Sequence, residues 1–174
     1  MRAEFLVTPF QPIGDRERLN RFQMLEKVLL HAFGGGLQVG VGAAKWFRND
    51  FVHEFEFEAR DLGAVREFVR HAAEGAGLEL IRVEDLIIAV SELAANSVRH
   101  GGGTGSLRVW REPAAIVCEV RDAGLIDEPL VGRIKPSHEQ IGGRGLWIVN
   151  YLCDLVELRS SDEGTVVRVR MDLG

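Results

Sequence analysis

Apolar side chains alternate with polar ones over residues 51–58. This two-residue period predicts a β-strand with one solvated face. Directly afterwards the apolar residues recur at every third or fourth position, which predicts a helix that begins after Asp61 and ends at Gly75 or Gly77. A second helix is predicted over residues 83–100, where most positions are apolar and three consecutive glycines follow.

Alternating patterns return after the second helix. They predict four strands in two hairpins, at residues 106–112, 114–121, 155–159 and 165–171. A third helix separates the two hairpins and carries the apolar residues Leu146, Ile148, Val149 and Leu152. A polar, irregular segment at residues 123–143 precedes this helix.

The order of these elements is β-α-α-β-β-α-β-β. It predicts an α+β protein built as a two-layer α/β sandwich, with the helices on one face of a mostly antiparallel mixed sheet. The strict βαβ alternation of a doubly wound dinucleotide-binding fold is absent from this order.

Residues 1–50 differ from the rest of the chain because they are rich in glycine near their end and less regularly patterned. The spacing of apolar residues predicts one amphipathic helix at residues 17–33. This helix either packs against the main domain or a sister subunit, or recognises a partner. The sequence therefore predicts an N-terminal extension of unknown role at 1–50 and a main domain at 51–174.

Composition limits the classes of function. The chain has 174 residues, 46% of them hydrophobic, and contains no apolar run of the roughly 20 residues that a membrane helix needs. The first residues lack the pattern of a secretory signal, so a cytoplasmic location with no membrane partner is expected. The net charge of −5 argues against direct nucleic-acid binding, and two cysteines are too few for a disulfide framework.

The predicted second helix carries a polar stripe. Glu92 and Asn96 lie on it one turn apart, so a carboxylate and a carboxamide project side by side. A carboxylate can accept a proton, and an amide oxygen can bind a hard cation such as Mg²⁺. The alternative is an ordinary solvated stripe of a surface helix.

Two further segments contain residues suited to a ligand. Asp122-Ala-Gly124 ends a predicted strand, where a carboxylate can accept a hydrogen bond from an amine and a glycine lets a flat ring approach. Gly142-Gly143-Arg144-Gly145 precedes the third helix, whose first backbone N–H groups can bind phosphate. Walker, G-x-G-x-x-G, H-E-x-x-H and G-x-S-x-G motifs are absent from the sequence.

Taken in order, four segments resemble the boxes of the GHKL (Bergerat) ATP-binding fold shared by gyrase, histidine kinases and MutL. The segments are Glu92-Leu-Ala-Ala-Asn96, Asp122-Ala-Gly124, Gly143-Arg144-Gly145-Leu146 and Gly164-Thr165. Within that superfamily the chain is most similar to the anti-sigma-factor serine/threonine kinases of the RsbW and SpoIIAB type, and especially to the C-terminal half of sensor-linked stress regulators. The resemblance covers about residues 52–172.

The resemblance implies a role for each matching residue. Asn96 would hold Mg²⁺ against ATP, and Glu92 would be the catalytic base. Asp122 would accept the adenine amine, Gly124 would leave room for the ring, and Thr165 would close the pocket through a water. At the phosphates, Gly143, Gly145 and the neighbouring Leu146 would form the box that opens the third helix, while Arg144 would touch phosphate or face water.

The segment at residues 125–141 would be a lid over the nucleotide. Its basic residues would either reach the phosphates or lie in solvent as ordinary loop residues: Arg133, Lys135 and His138.

The resemblance also implies a function in transcription regulation under stress. The chain would be an ATP-dependent anti-sigma factor that phosphorylates a STAS-type anti-anti-sigma protein and sequesters a sigma factor. Two alternatives stay open: a nucleotide-dependent binding switch without significant kinase activity, and the catalytic domain of a histidine kinase. A homodimer is also left open by the sequence.

Overall fold

The described residues form a six-stranded sheet with helices packed on it. A computed structural model describes residues 52–127, 132 and 144–174, together with the backbone of residues 6–9. All of them belong to one compact unit, formed by residues 1–9 and 43–174. The predicted helix at 17–33, the basic residues Arg133, Lys135 and His138, and Gly143 lie outside the described residues.

Six strands and three α-helices are described. The strands are β1 (Leu6–Pro9), β2 (His53–Glu58), β3 (Thr104–Glu112), β4 (Ala115–Asp122), β5 (Leu155–Ser161) and β6 (Gly164–Asp172). The helices are α1 (Leu62–Ala76), α2 (Leu80–His100) and α3 (Gly145–Leu152). The predicted elements of residues 52–174 are all present. Helix α2 begins three residues earlier than predicted, and its first residues, Leu80 and Ile81, are apolar but exposed, so they lie outside the buried face that the prediction followed.

The sheet has the strand order β1-β5-β6-β4-β3-β2. Each pairing between described strands is antiparallel. Alternate residues of the central strands are buried against the helices, for example Leu107 and Val109 of β3 and Val167 and Val169 of β6. The predicted α+β sandwich is therefore confirmed, and the described part of its sheet is wholly antiparallel rather than mixed.

Strand β1 was not predicted. Its four residues pair with β5 at the edge of the sheet, although they lie within the predicted N-terminal extension. A strand of four residues with two apolar members is too short to stand out by alternation. The domain boundary at residue 50 stays a prediction.

The face of the sheet opposite the helices carries a row of alternating charge. In register across five strands stand Glu54, Arg108, Glu119, Arg168 and Glu157. The Glu119 side chain is only 1% exposed and accepts hydrogen bonds of 2.7 and 3.1 Å from Arg168. A one-residue slip of any strand would move these charges to the apolar face, so the row helps to fix the register.

Helices α2 and α3 lie antiparallel. Near the start of α2, Arg82 donates a hydrogen bond of 3.2 Å to the carbonyl of Leu152, the last residue of α3, and another to Asp154. Asp85, which is 4% exposed, forms an ion pair with Arg82 at 3.9 Å. This anchor holds the C-terminal end of α3 and leaves its N-terminal end facing the second half of α2.

Candidate nucleotide-binding site

The polar residues of α2 are not a solvated stripe. Asp85 and Ala89 are buried, and Glu92 and Asn96 are half-buried. Neither Glu92 nor Asn96 makes a side-chain hydrogen bond to another described residue. Both side chains are half-buried and keep hydrogen-bonding capacity that no other described residue uses, so both are suited to a ligand.

The start of α3 lies directly against these two side chains. A Cβ atom on Gly145 would stand 2.8 Å from Oε2 of Glu92 and 3.2 Å from Nδ2 of Asn96. Any residue other than glycine would fill the space between the two helices here. The structure thus brings together Glu92, Asn96 and Gly145, which we call the phosphate end of the site.

The N-terminus of α3 carries no side-chain cap among the described residues. Arg144 precedes the helix, makes no side-chain capping hydrogen bond and is exposed, and no acidic residue occupies the first turn. Leu146 is buried, and a Cβ on Gly132 would lie 2.6 Å from its Cβ atom. Leu146 therefore packs against Gly132, and the first N–H groups of a helix are able to bind an anion.

Burial raises the pKa of the Glu92 carboxyl, and the nearby charge of Arg99 acts in the opposite direction. A carboxyl that ionises closer to neutral pH is a better proton acceptor than an exposed one. The environment of Glu92 therefore differs from that of a surface carboxylate, and its carboxyl is a candidate proton acceptor.

The second group of predicted residues meets where β4 and β6 end beside the C-terminal turn of α2. Asp122 and Thr165 stand opposite each other in the sheet. The Asp122 carboxylate accepts hydrogen bonds from Ser97 Oγ at 2.6 Å and from the backbone N–H of Gly124 at 2.8 Å. Each carboxylate oxygen keeps one lone pair for a ligand.

Gly124 fits tightly against the end of α2. A Cβ on Gly124 would lie 2.7 Å from the carbonyl oxygen of His100 and 3.0 Å from Oδ1 of Asp122. Thr165, 3% exposed, donates a hydrogen bond of 2.8 Å to the Gly124 carbonyl. We call Asp122, Gly124 and Thr165 the base end of the site.

Ser97 connects the two ends and was not predicted. It follows Asn96 in the chain, is 1% exposed and holds Asp122 by its hydroxyl. A serine among the apolar residues of a helix needs a hydrogen-bond partner when it is buried. This requirement was the feature of the sequence that could have indicated a role for Ser97. Ser160 was also missed, because its contacts depend on strand register.

The sequence and the structure were compared with known protein families and solved structures. The family model of the histidine kinase-like ATPase domain matches residues 55–171 of the sequence. The catalytic domain of the histidine kinase ThkA, in a nucleotide-free form, has 16% sequence identity and a TM-score of 0.41, over 70% of this chain and 97% of that one. The histidine kinase domain of the E. coli osmosensor EnvZ has 19% identity and a TM-score of 0.41, over 75% and 92%.

A third solved structure, the Acinetobacter baumannii histidine kinase AdeS, has 12% identity and a TM-score of 0.45, over 95% of this chain and 87% of that one. A comparison with curated proteins finds no match. No helix among the described residues is long and apolar enough to cross a membrane.

Because the family model spans well over half of the sequence, the chain belongs to the histidine kinase-like ATPase family and carries its ATP-binding domain.

Proposed function

We propose that the chain is an ATP-dependent protein serine kinase of the anti-sigma-factor type, which phosphorylates a STAS-type anti-anti-sigma protein and sequesters a sigma factor. The observation that carries the kinase part is the position of Glu92, which lies against the first residue of α3 beside Asn96 and has a raised pKa. The choice of partners rests on the resemblance of the α2 and α3 sequences to this class of kinase.

The described residues fit ATP with Mg²⁺. At the phosphate end, a glycine leaves space between two helices, and Arg144, which precedes α3, makes no side-chain capping hydrogen bond. Asn96 would hold Mg²⁺ through its amide oxygen, since this ion commonly takes few protein ligands together with phosphates and water. The ion supplies charge neutralisation at the phosphates.

The residues then act in distinct roles. Asp122 accepts a hydrogen bond from the exocyclic amine of adenine and orients the base. The first N–H groups of α3 bind phosphate oxygens. Glu92 takes the proton from the partner's serine hydroxyl while the serine oxygen bonds to the γ-phosphorus and the bond to ADP breaks. Phosphoryl transfer depends mainly on positioning and charge stabilisation, which these groups provide.

The proposed activity is tested with radiolabelled ATP and a STAS-domain protein encoded by the same genome. The expected result is acid-stable phosphate on a serine of that protein and none on the chain itself. Acid-labile phosphate on a histidine would favour a histidine kinase. ATP binding without transfer would favour a nucleotide-dependent binding switch.

Replacing Gly145 with alanine tests the phosphate end. The added Cβ would lie within 2.8 Å of Glu92, and overpacking of this kind costs about 1–3 kcal/mol. We expect the Gly145→Ala variant to bind ATP about tenfold or more weakly, measured by isothermal titration calorimetry.

The matched control is Gly63→Ala near the start of α1, where a Cβ would meet only Arg66 at 3.8 Å. Alanine is the better helix former by about 1 kcal/mol, so Gly63→Ala should raise the melting temperature and leave ATP binding unchanged. If Gly145→Ala also binds ATP as tightly as the unmodified chain, the result would contradict the close contact between Gly145 and Glu92 at the phosphate end.

A further inference from the structure

Ser160 and Thr165 form a pair of hydroxyl groups across the β5–β6 hairpin. They stand directly opposite each other, and Ser160 Oγ lies 2.7 Å from Thr165 Oγ1. Ser160 Oγ also accepts a hydrogen bond of 2.8 Å from the backbone N–H of Ile126. The pair therefore links the hairpin to residues 124–126, which follow β4.

The direction of the bond between the two hydroxyls follows from counting hydrogens. A hydroxyl has one hydrogen to donate, and Thr165 gives its hydrogen to the carbonyl of Gly124, which can only accept. Ser160 is therefore the donor to Thr165. The resulting chain runs from the Ile126 N–H through Ser160 and Thr165 to the Gly124 carbonyl.

We infer that Ser160 is a positioning residue of the base end, which keeps Thr165 oriented as a hydrogen-bond acceptor toward the ligand. This inference rests on the proposed nucleotide site. Thr165 retains one lone pair and has no hydrogen left for a ligand. Asp122, the residue opposite it in the sheet, is an acceptor as well. These two side chains therefore select a base edge, or a bridging water, that donates hydrogen bonds.

The test uses two substitutions of nearly equal shape at Ser160. Ser160→Thr keeps the hydroxyl and Ser160→Val removes it, and both are favourable in a strand. We expect Ser160→Val to bind ATP and ADP about tenfold more weakly, because two hydrogen bonds are lost, and Ser160→Thr to bind within about twofold of the unmodified chain. The dependence of ATP binding on Mg²⁺ should be unchanged, since the phosphate end is intact.

A double-mutant cycle with Thr165→Val separates positioning from a general structural effect. If Ser160 acts through Thr165, the effect of Ser160→Val on ATP affinity should shrink to about threefold or less in the Thr165→Val background. Ser160→Ala provides a second variant without the hydroxyl, and Ser161→Ala, at the exposed next residue, is the control.

Three outcomes would overturn the inference. Equal ATP affinity of the Ser160→Val, Ser160→Ala and unmodified chains would remove any role for the hydroxyl. A full tenfold effect in the Thr165→Val background would show that Ser160 does not act through Thr165. Absence of ATP and ADP binding by the unmodified chain would overturn the proposed function together with the inference. The titration of the unmodified chain separates this outcome from the first two, in which the unmodified chain binds both nucleotides.

Discussion

A Glu92→Gln variant is expected to bind ATP as tightly as the unmodified chain and to phosphorylate its partner about 100-fold to 10,000-fold more slowly. Glutamine keeps the shape of the side chain but cannot take the proton from a serine hydroxyl, and general-base catalysis contributes a factor of this size. The measurement is a single-turnover transfer assay with radiolabelled ATP, combined with calorimetric titration of the nucleotide.

The pH dependence of transfer gives a second readout for Glu92. Because burial raises the pKa of this carboxyl, the rate should increase with pH as the group ionises, and the glutamine variant should lack this increase.

As the pH rises, folding stability should fall while the rate of phosphoryl transfer increases. Since the pKa of Glu92 is higher in the folded chain than in the unfolded chain, its ionisation costs stability as the pH rises through the folded-state pKa. Removing the charge should therefore raise the melting temperature at neutral pH.

The control is Glu84→Gln on the same helix, where the carboxylate is exposed and bonded to Arg70 at 2.6 Å. This variant should keep full transfer activity. Unchanged transfer by Glu92→Gln would exclude Glu92 as the base and leave the binding switch as the better function.

An Asn96→Ala variant is expected to lose about 100-fold in affinity for Mg²⁺-ATP while it keeps its fold. The amide makes no side-chain hydrogen bond to another described residue, so its removal breaks none among these residues, whereas contacts to charged ligands contribute up to about 3 kcal/mol each. In the presence of a chelator, the variant and the unmodified chain should bind ATP equally weakly, because Asn96 would act through the ion.

Ser91→Ala is the matched control for Asn96→Ala. Ser91 lies on the same helix, and its hydroxyl is buried and makes no hydrogen bond to another described residue, so its loss should keep or raise folding stability and leave ATP binding unchanged. Tight, Mg²⁺-dependent binding of ATP by Asn96→Ala would contradict the assignment of the phosphate end.

Much of the fold could be predicted because its buried faces repeat with clear periods. Strand β6 alternates between inner and outer residues, β3 does so around Leu107 and Val109, and α2 buries most of its apolar residues. The start of α2 and strand β1 escaped prediction for the same reason: exposed or very short segments contribute little to a periodic pattern.

For the site, local spacing predicted pairs within one element, such as Glu92 and Asn96. What sequence spacing could not show is which elements meet. The approach of Gly145 to Glu92 depends on the antiparallel packing of α2 and α3, which the buried Asp85 and its partner Arg82 anchor at the other end.

The contacts of Ser160 depend on strand register. Ser160 faces Thr165 only because of the register of β5 with β6, and the loop after β4 completes the chain of hydrogen bonds through Ile126. Alternation places Ser160 on the inner face of its strand, but it does not say which residue lies across from it.

The central claim is that the phosphate end and the base end form one nucleotide site. The most direct test is a calorimetric titration of the purified chain with ATP and ADP, with and without Mg²⁺, beside Asn96→Ala and Asp122→Asn. The proposed site predicts saturable binding at one site per chain, with loss of the Mg²⁺ dependence in Asn96→Ala and weaker binding of both nucleotides in Asp122→Asn. Absence of binding by the unmodified chain, or binding that neither substitution changes, would contradict it.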